Sequence, residues 1–89
     1  MVTAQVLRDE GGTIVLTVRV SEGTETTHEV TLSRKDLARL GKPGEEAAPF
    51  VERCFAFLLE REPKESILRR FDVMVIARYF PEFEKEIRA

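Results

Sequence analysis

The sequence predicts an α+β fold, in which a three-stranded antiparallel meander is followed by three or four short helices packed on one face of the sheet. Two patterns predict it. Residues 1–32 alternate apolar and polar side chains between glycine-containing turns, which is typical of strands. Residues 33–89 instead carry helix caps and apolar residues at helical spacing. At 89 residues, the chain is expected to form one domain from these two parts.

Three segments, 2–8, 13–20 and 26–32, are rich in Val, Ile, Leu and Thr and are predicted to be the strands. The turns between them are short and contain glycine, which favours antiparallel hairpins. The alternation gives one aliphatic face and one face of threonine and charge. The aliphatic face is therefore expected to lie under helices. Its residues are Val2, Ala4, Val6, Ile14, Leu16, Val18, Val20, Val30 and Leu32.

A first helix is predicted to begin after Ser33. Ser33 and Asp36 have the spacing of a capping box, in which each side chain reaches the backbone of the other residue. Leu32 and Leu37 occupy the positions of a hydrophobic staple, and Gly41 supplies a stop.

A second helix is predicted from about residue 48 to residue 61. Pro49 must lie in its first turn, because proline further inside would remove a backbone hydrogen bond. Apolar side chains recur there at helical spacing, and two further ones, Phe57 and Leu59, widen the stripe. This helix is therefore expected to contact more than one neighbour.

The next segments are predicted to be short helices. Pro63 can begin one over residues 63–70. Asp72 can cap another over residues 73–80, which is apolar apart from Arg78 and is expected to be buried on most sides. A fourth strand is the alternative for 73–80, because several of its residues are β-branched. We prefer the helix.

A last amphipathic helix is predicted after Pro81. Phe83 and Ile87 lie one turn apart on its apolar side, and Glu84 and Arg88 are expected to pair on its outer side.

Composition narrows the class of protein. The net charge is −2, from 14 Lys and Arg against 16 Asp and Glu, so bulk charge does not favour nucleic acid or an anionic membrane. The longest fully apolar run, residues 54–59, is far too short to span a membrane, and the first residues do not form a signal peptide. We therefore expect a soluble cytoplasmic protein with no membrane partner.

Catalytic and cofactor motifs are not found. The single histidine, His28, shares the register of Val30 and Leu32 and is predicted to be a partly buried residue near the edge of the sheet. The single cysteine, Cys54, lies among apolar residues, where a thiol is unreactive. The sequence contains no metal-ligand motif and no glycine-rich phosphate loop. It predicts a protein that is not an enzyme and has no cofactor or metal.

Charge is unevenly distributed along the chain. Residues 33–44 contain four basic residues and one acidic residue, and Arg69-Arg70 adds a second basic element. Arg78, a lone cation in an apolar segment, must find a carboxylate or carbonyl partner or lie at an exposed edge, and Asp72 or a glutamate of the last helix could serve as the partner. The predicted interaction residues are Arg34, Lys35, Arg39, Lys42, Arg69, Arg70 and Arg78.

These basic residues suggest a nucleic-acid-associated regulator, but the sequence favours it less than protein association. Glu45 and Glu46 follow the basic segment and would repel phosphate. The second helix has a phenylalanine face, which cannot read base edges. Nucleic acid therefore stays a secondary hypothesis.

Protein association is the preferred hypothesis. A three-stranded meander has two edges to protect, and the helical part has more aromatic and aliphatic residues than a small core needs. We therefore predict a small non-enzymatic interaction module that forms a homodimer or binds a protein partner.

Two stretches of the C-terminal half, FAFLLEREPKESIL (55–68) and, beyond it, FD (71–72) with VIARYFPEFE (75–84), resemble short bacterial proteins whose activity is uncharacterised. The resemblance covers about a third of the chain. It implies no activity, and Ser66, Asp72, Arg78 and Tyr79 are the polar residues within it that suggest a function.

Overall fold

The structure is a computed structural model that describes residues 1–89. It has four strands and four helices, which confirms the α+β class. In chain order they are β1 (Val2–Glu10), β2 (Thr13–Glu22), β3 (Thr24–Ser33), α1 (Arg34–Leu40), α2 (Ala47–Leu59), β4 (Arg70–Asp72), α3 (Val75–Tyr79) and α4 (Phe83–Arg88). A single 3-10 turn, Lys64–Ser66, precedes β4.

The first three strands form the predicted antiparallel meander. Gly11 and Gly12 connect β1 to β2, with φ of 61° and 83°. Side chains rarely adopt these values, so two adjacent glycines permit the tight turn. β2 and β3 then pair without interruption from Thr13 opposite Ser33 to Glu22 opposite Thr24.

The prediction of a three-stranded sheet was wrong, because β4 adds a fourth strand beside β3. It runs parallel to β3, with Val30 opposite Phe71 and Thr31 opposite Asp72. Two bonds from outside the ladder strengthen the pairing: the Val73 N–H donates to the Thr31 carbonyl at 2.9 Å and the Thr31 hydroxyl donates to the Asp72 carboxylate at 2.6 Å. A strand of three residues is too short to show a period-two pattern.

The helices predicted on either side of β4 are shorter than expected. Of residues 63–70 only the 3-10 turn is helical, and the chain is extended from Ile67 onwards because it must reach β3. Asp72 accepts a hydrogen bond from the Met74 N–H at 3.0 Å, so it caps a turn that leads into α3. Residues 73–80 are therefore a turn and a five-residue helix, and not a strand.

α1 and α2 pack against the sheet, and all four helices contribute to one hydrophobic cluster of 20 buried residues that includes the aliphatic side chains of β2 and β3. α2 supplies the largest share of it, including Phe50, Phe55 and Leu58. No residue of the threonine-rich face belongs to this cluster. The predicted covered face is therefore confirmed for β2 and β3 and for the start of β1, whereas Val6, predicted on the same face, is 44% exposed next to the bulge at Leu7.

α1 begins at the predicted cap. The Ser33 hydroxyl accepts a hydrogen bond from the Asp36 N–H at 3.0 Å, which satisfies one free amide of the first turn. The second half of the capping box is not made, because the Asp36 carboxylate instead accepts from Arg39 at 3.0 Å.

Two arginines connect α2 to α4. Arg53 forms two hydrogen bonds of 2.8 Å with the Glu45 carboxylate and a third, of 2.7 Å, with the Ile87 carbonyl. Arg61 lies over the Phe57 ring and donates to Glu82 and Glu86 at 3.0 and 3.1 Å.

α4 buries Phe83 and Ile87, as predicted. The expected pair between Glu84 and Arg88 is not formed. Glu84 binds Arg39 of α1 at 2.5 Å, because α1 packs next to α4.

The longer of the two edge strands of the sheet is β1. Glu52 of α2 accepts a hydrogen bond from the Ala4 N–H at 3.1 Å, so one outward amide of this edge is already bonded. The register with β2 shifts between Val6 and Arg8, which makes Leu7 a bulge. Leu7 is 50% exposed.

Replacing Ser33 with alanine removes the hydroxyl that caps α1. We expect Ser33→Ala to lower the free energy of unfolding by about 1 kcal/mol, measured by urea denaturation. Lys35→Ala, on the same helix at a side chain without a partner, is the control and is expected to change stability by less than about 0.5 kcal/mol. Equal effects of the two variants would contradict the capping role.

Glu45 gives the stability a defined pH dependence. Its hydrogen bonds with Arg53, aided by the Lys42 N–H, lower the pKa of this carboxyl below its ordinary value of 4.5. The stabilisation that Glu45 contributes is therefore fully present above pH 4.5. It is lost as the pH falls through the pKa that Glu45 has in the folded protein, which is below 4.5.

We expect Glu45→Gln to cost about 1.5–3 kcal/mol of unfolding free energy at pH 7, and progressively less as the pH is lowered below 4.5 and wild-type Glu45 takes up a proton. Thermal unfolding across this range measures the difference. Glu46→Gln, at the adjacent exposed carboxylate, serves as the control. A difference that does not shrink with acid would rule out the ionic contribution.

Candidate functional site

The C-terminal half of the chain forms an apolar groove with a volume of about 230 Å³. Its walls are the end of α2 on one side and α3 on the other, and Phe71 of β4 also lines it. Eight of its ten lining residues are apolar. They are Leu58, Ile67, Leu68, Phe71, Val75, Ile76, Tyr79 and Phe80, and the two polar residues are Glu62 and Ser66.

Two of these lining residues are large side chains that the fold leaves exposed. Leu68 is 49% exposed and Tyr79 is 67% exposed. Single exposed apolar residues are common on proteins, but two on one apolar groove form a patch that association can bury. The groove is therefore the strongest candidate for a binding surface.

His28 fixes the position of Leu68. Its Nδ1 lies 2.8 Å from the Leu68 carbonyl, which can only accept, so Nδ1 carries the proton. In the neutral ring, Nε2 then accepts from the Thr26 hydroxyl at 2.9 Å. The ring packs against Phe55, with 5.3 Å between centroids. Both nitrogens are satisfied, which makes His28 a positioning residue for the wall of the groove.

The sequence placed His28 near an edge and only partly buried. In the structure it is 1% exposed, because β4 and the segment before it run along the edge of β3 that does not pair with β2. The prediction that His28 lies on the apolar face is confirmed.

Lys64 is an anchor that the sequence did not predict. Its side chain is 8% exposed, and its ammonium group donates to the Glu22 carbonyl at 3.1 Å and pairs with Glu65 at 2.9 Å. It ties the start of this segment to the turn between β2 and β3. The sequence around Lys64 does not predict its burial, because that burial depends on the hydrogen bond with Glu22, which lies 42 residues away in the chain.

Three charged side chains at or next to lining residues of the groove have no intrachain partner. Glu62, Arg69 and Arg78 make no side-chain hydrogen bond and no ion pair. Glu62 lines the groove just after the end of α2 and is half-buried, whereas Arg78 is exposed on α3 next to the lining residue Tyr79. Of the positions expected for Arg78, the exposed edge is the one observed.

The other predicted basic residues are partly neutralised. Arg34 pairs with Asp9, Arg39 with Asp36 and Glu84, and Arg70 with Glu29. Lys35 and Lys42 are exposed and make no ion pair. Arg34, Lys35 and Arg39 lie on α1, whereas Arg70 lies on β4 and Arg78 on α3, so no single element carries all the predicted basic residues.

Two further depressions lie beside α1, with volumes of about 330 and 420 Å³. Their volumes are larger than that of the groove, but their linings are more polar. Five of ten lining residues are apolar in the first depression and two of eight in the second. Arg34 and Glu45, which are both in ion pairs, line both of them. Neither offers the same apolar area to a partner.

The potential nucleophile is shielded. Cys54 is 0% exposed, and burial raises the pKa of its thiol well above its ordinary value. No group of three or more His, Cys, Asp or Glu side chains is arranged to hold a metal ion. No helix has both the length and the apolar character needed to cross a membrane.

No family model, curated protein or solved structure matches this chain. The resemblance of residues 55–84 to short bacterial proteins therefore stays a prediction.

His28→Leu tests the positioning of Leu68. The substitution leaves the Leu68 carbonyl without its donor, and we expect a loss of about 1–3 kcal/mol in unfolding free energy. Hydrogen exchange should also show weaker protection over residues 67–72. Thr27→Leu, the same new residue on the exposed face of β3, is the control. Unchanged protection in His28→Leu would contradict the role.

Proposed function

We propose that this protein is a small non-enzymatic interaction module that self-associates as a homodimer through the apolar groove. The observation that carries the proposal is the exposure of Leu68 and Tyr79 on a groove that is otherwise apolar. Removing apolar surface from water contributes roughly 25 cal/mol per Å². The groove is the place where a partner gains the most from this effect.

The state of the two potentially reactive side chains supports a non-enzymatic role. A nucleophilic cysteine needs an accessible thiolate, but Cys54 is fully buried and its pKa is raised. A catalytic histidine needs a free ring nitrogen that reaches substrate, but both nitrogens of His28 are engaged inside the fold.

The size of the chain supports self-association. A domain of 89 residues buries a smaller fraction of its surface than a larger one does, so its own core leaves a modest stability margin. A second copy adds buried apolar area without adding chain length.

A nucleic-acid-associated regulator is the alternative, using Arg34, Lys35, Arg39, Lys42, Arg69 and Arg70. Support for it is weaker, because Arg34, Arg39 and Arg70 already bind carboxylates of the same chain. Retention on DNA that falls steeply with salt would favour this alternative.

Sedimentation over a micromolar concentration range tests the proposal. We expect the mass to rise with concentration from 10.2 kDa towards twice that value. Leu68→Ser should weaken the association at least about tenfold, since a half-exposed leucine is buried in each copy.

Leu7→Ser is the matched control, because Leu7 is also a half-exposed leucine but lies on β1. It should associate like the wild type. A monomer at every concentration, or equal losses for the two serine variants, would overturn the proposal.

A further inference from the structure

We infer that the two copies bind groove to groove about a two-fold axis along the groove, so that Glu62 of each copy faces Arg78 of the other. This rests on the proposed self-association and deepens it, since it names the contact surface, the symmetry and the ion pairs of the dimer.

The shape of the groove sets this arrangement. Leu58 and Glu62 form the wall at the end of α2, while Ile76 and Tyr79 belong to the α3 wall. A two-fold axis that runs along the groove exchanges the walls, so the α2 wall of one copy lies against the α3 wall of the other. Tyr79 of each copy then covers the apolar groove of its partner.

Charge complementarity supports a second copy as the occupant. Glu62, on the α2 wall, and Arg78, beside Tyr79 on α3, carry opposite charges and have no partner within the chain. Arg61, one residue from Glu62, is already bound to Glu82 and Glu86. Glu62 lines the groove, and Arg78 is exposed on α3 next to the lining residue Tyr79. A surface that carries an unpaired anion and an unpaired cation in this way is complementary to itself, and the two-fold axis forms the pair twice.

The position of the other exposed apolar residues supports the same symmetry. Val6 and Leu7 lie on β1, at the edge of the sheet opposite β4. If the groove bound that patch, each copy would use two different surfaces, and the copies would assemble into a ring or an open filament. Groove-to-groove contact uses the same surface on both copies and is complete at two.

Two charge reversals test the inference, each measured alone and then in an equimolar mixture. Glu62→Lys places two cations opposite each other at both symmetric contacts, and Arg78→Glu does the same with two anions. We expect each variant alone to dimerise at least about tenfold more weakly than the wild type.

In the mixture, Lys at position 62 of one copy faces Glu at position 78 of the other, and the native Arg78 faces the native Glu62. The two variants should therefore form a heterodimer with an affinity within about threefold of the wild type. This recovery also shows that each variant is folded. Glu46→Lys and Lys35→Glu, at exposed charges without ion pairs, are the matched controls and should dimerise normally.

The outcomes separate this inference from the proposal on which it rests. Normal dimerisation of both reversals, with loss in Leu68→Ser, would overturn the ion pairs and leave self-association intact. Loss in each variant without recovery in the mixture would also overturn the two-fold pairing. A wild-type chain that stays monomeric would overturn both proposals.

Discussion

The attachment of residues 64–72 to β3 is the constraint on which the rest of the structure depends. The segment is held at three points: Lys64 on the Glu22 carbonyl, the Leu68 carbonyl on His28, and β4 on the middle of β3. Without it, β3 would be an edge strand and the Nδ1 of His28 would lose its acceptor, the Leu68 carbonyl. The groove would also lose Phe71 and the wall that contains Leu68.

Much of the attachment of residues 64–72 to β3 comes from polar contacts, because the segment is short and mostly exposed. A stretch with few apolar residues cannot be fixed by burial alone, whereas a hydrogen bond to a buried ring has a defined geometry. The same division holds for α2. Phe55 packs against His28 and Phe71 of the sheet, Phe57 packs against Phe83 of α4, and Arg53 and Arg61 add hydrogen bonds to α4 or its N-cap.

Local patterns were sufficient for β1 to β3, the start of α1 and most of α2. The alternation of β1 to β3, the Ser33 cap and the apolar stripe of α2 depend on neighbours within a few residues or one turn, so the sequence alone revealed them. β4 depends on a parallel pairing about 40 residues away and has only three residues, which leaves no period to recognise.

The candidate site was likewise predicted only as far as local sequence patterns reach. Tyr79 was noted as a polar residue of interest, but the apolar segment around it was expected to be buried, and the structure leaves Tyr79 exposed at the last residue of α3. The predicted basic residues were identified as charges, and the sequence could not show that Asp9, Glu84 and Glu29 neutralise three of them, because those partners come from other elements.

The carboxylate of Glu52 on the Ala4 amide has a consequence for how large an assembly of this protein can grow. An unoccupied edge strand is a template for amyloid-like stacking, in which each added chain exposes a new template. Here one edge is partly blocked by a side chain and bent at Leu7, and the other is only three residues long. Unlimited growth through the backbone is thereby opposed at both ends of the sheet, and side-chain recognition is left to set the stoichiometry.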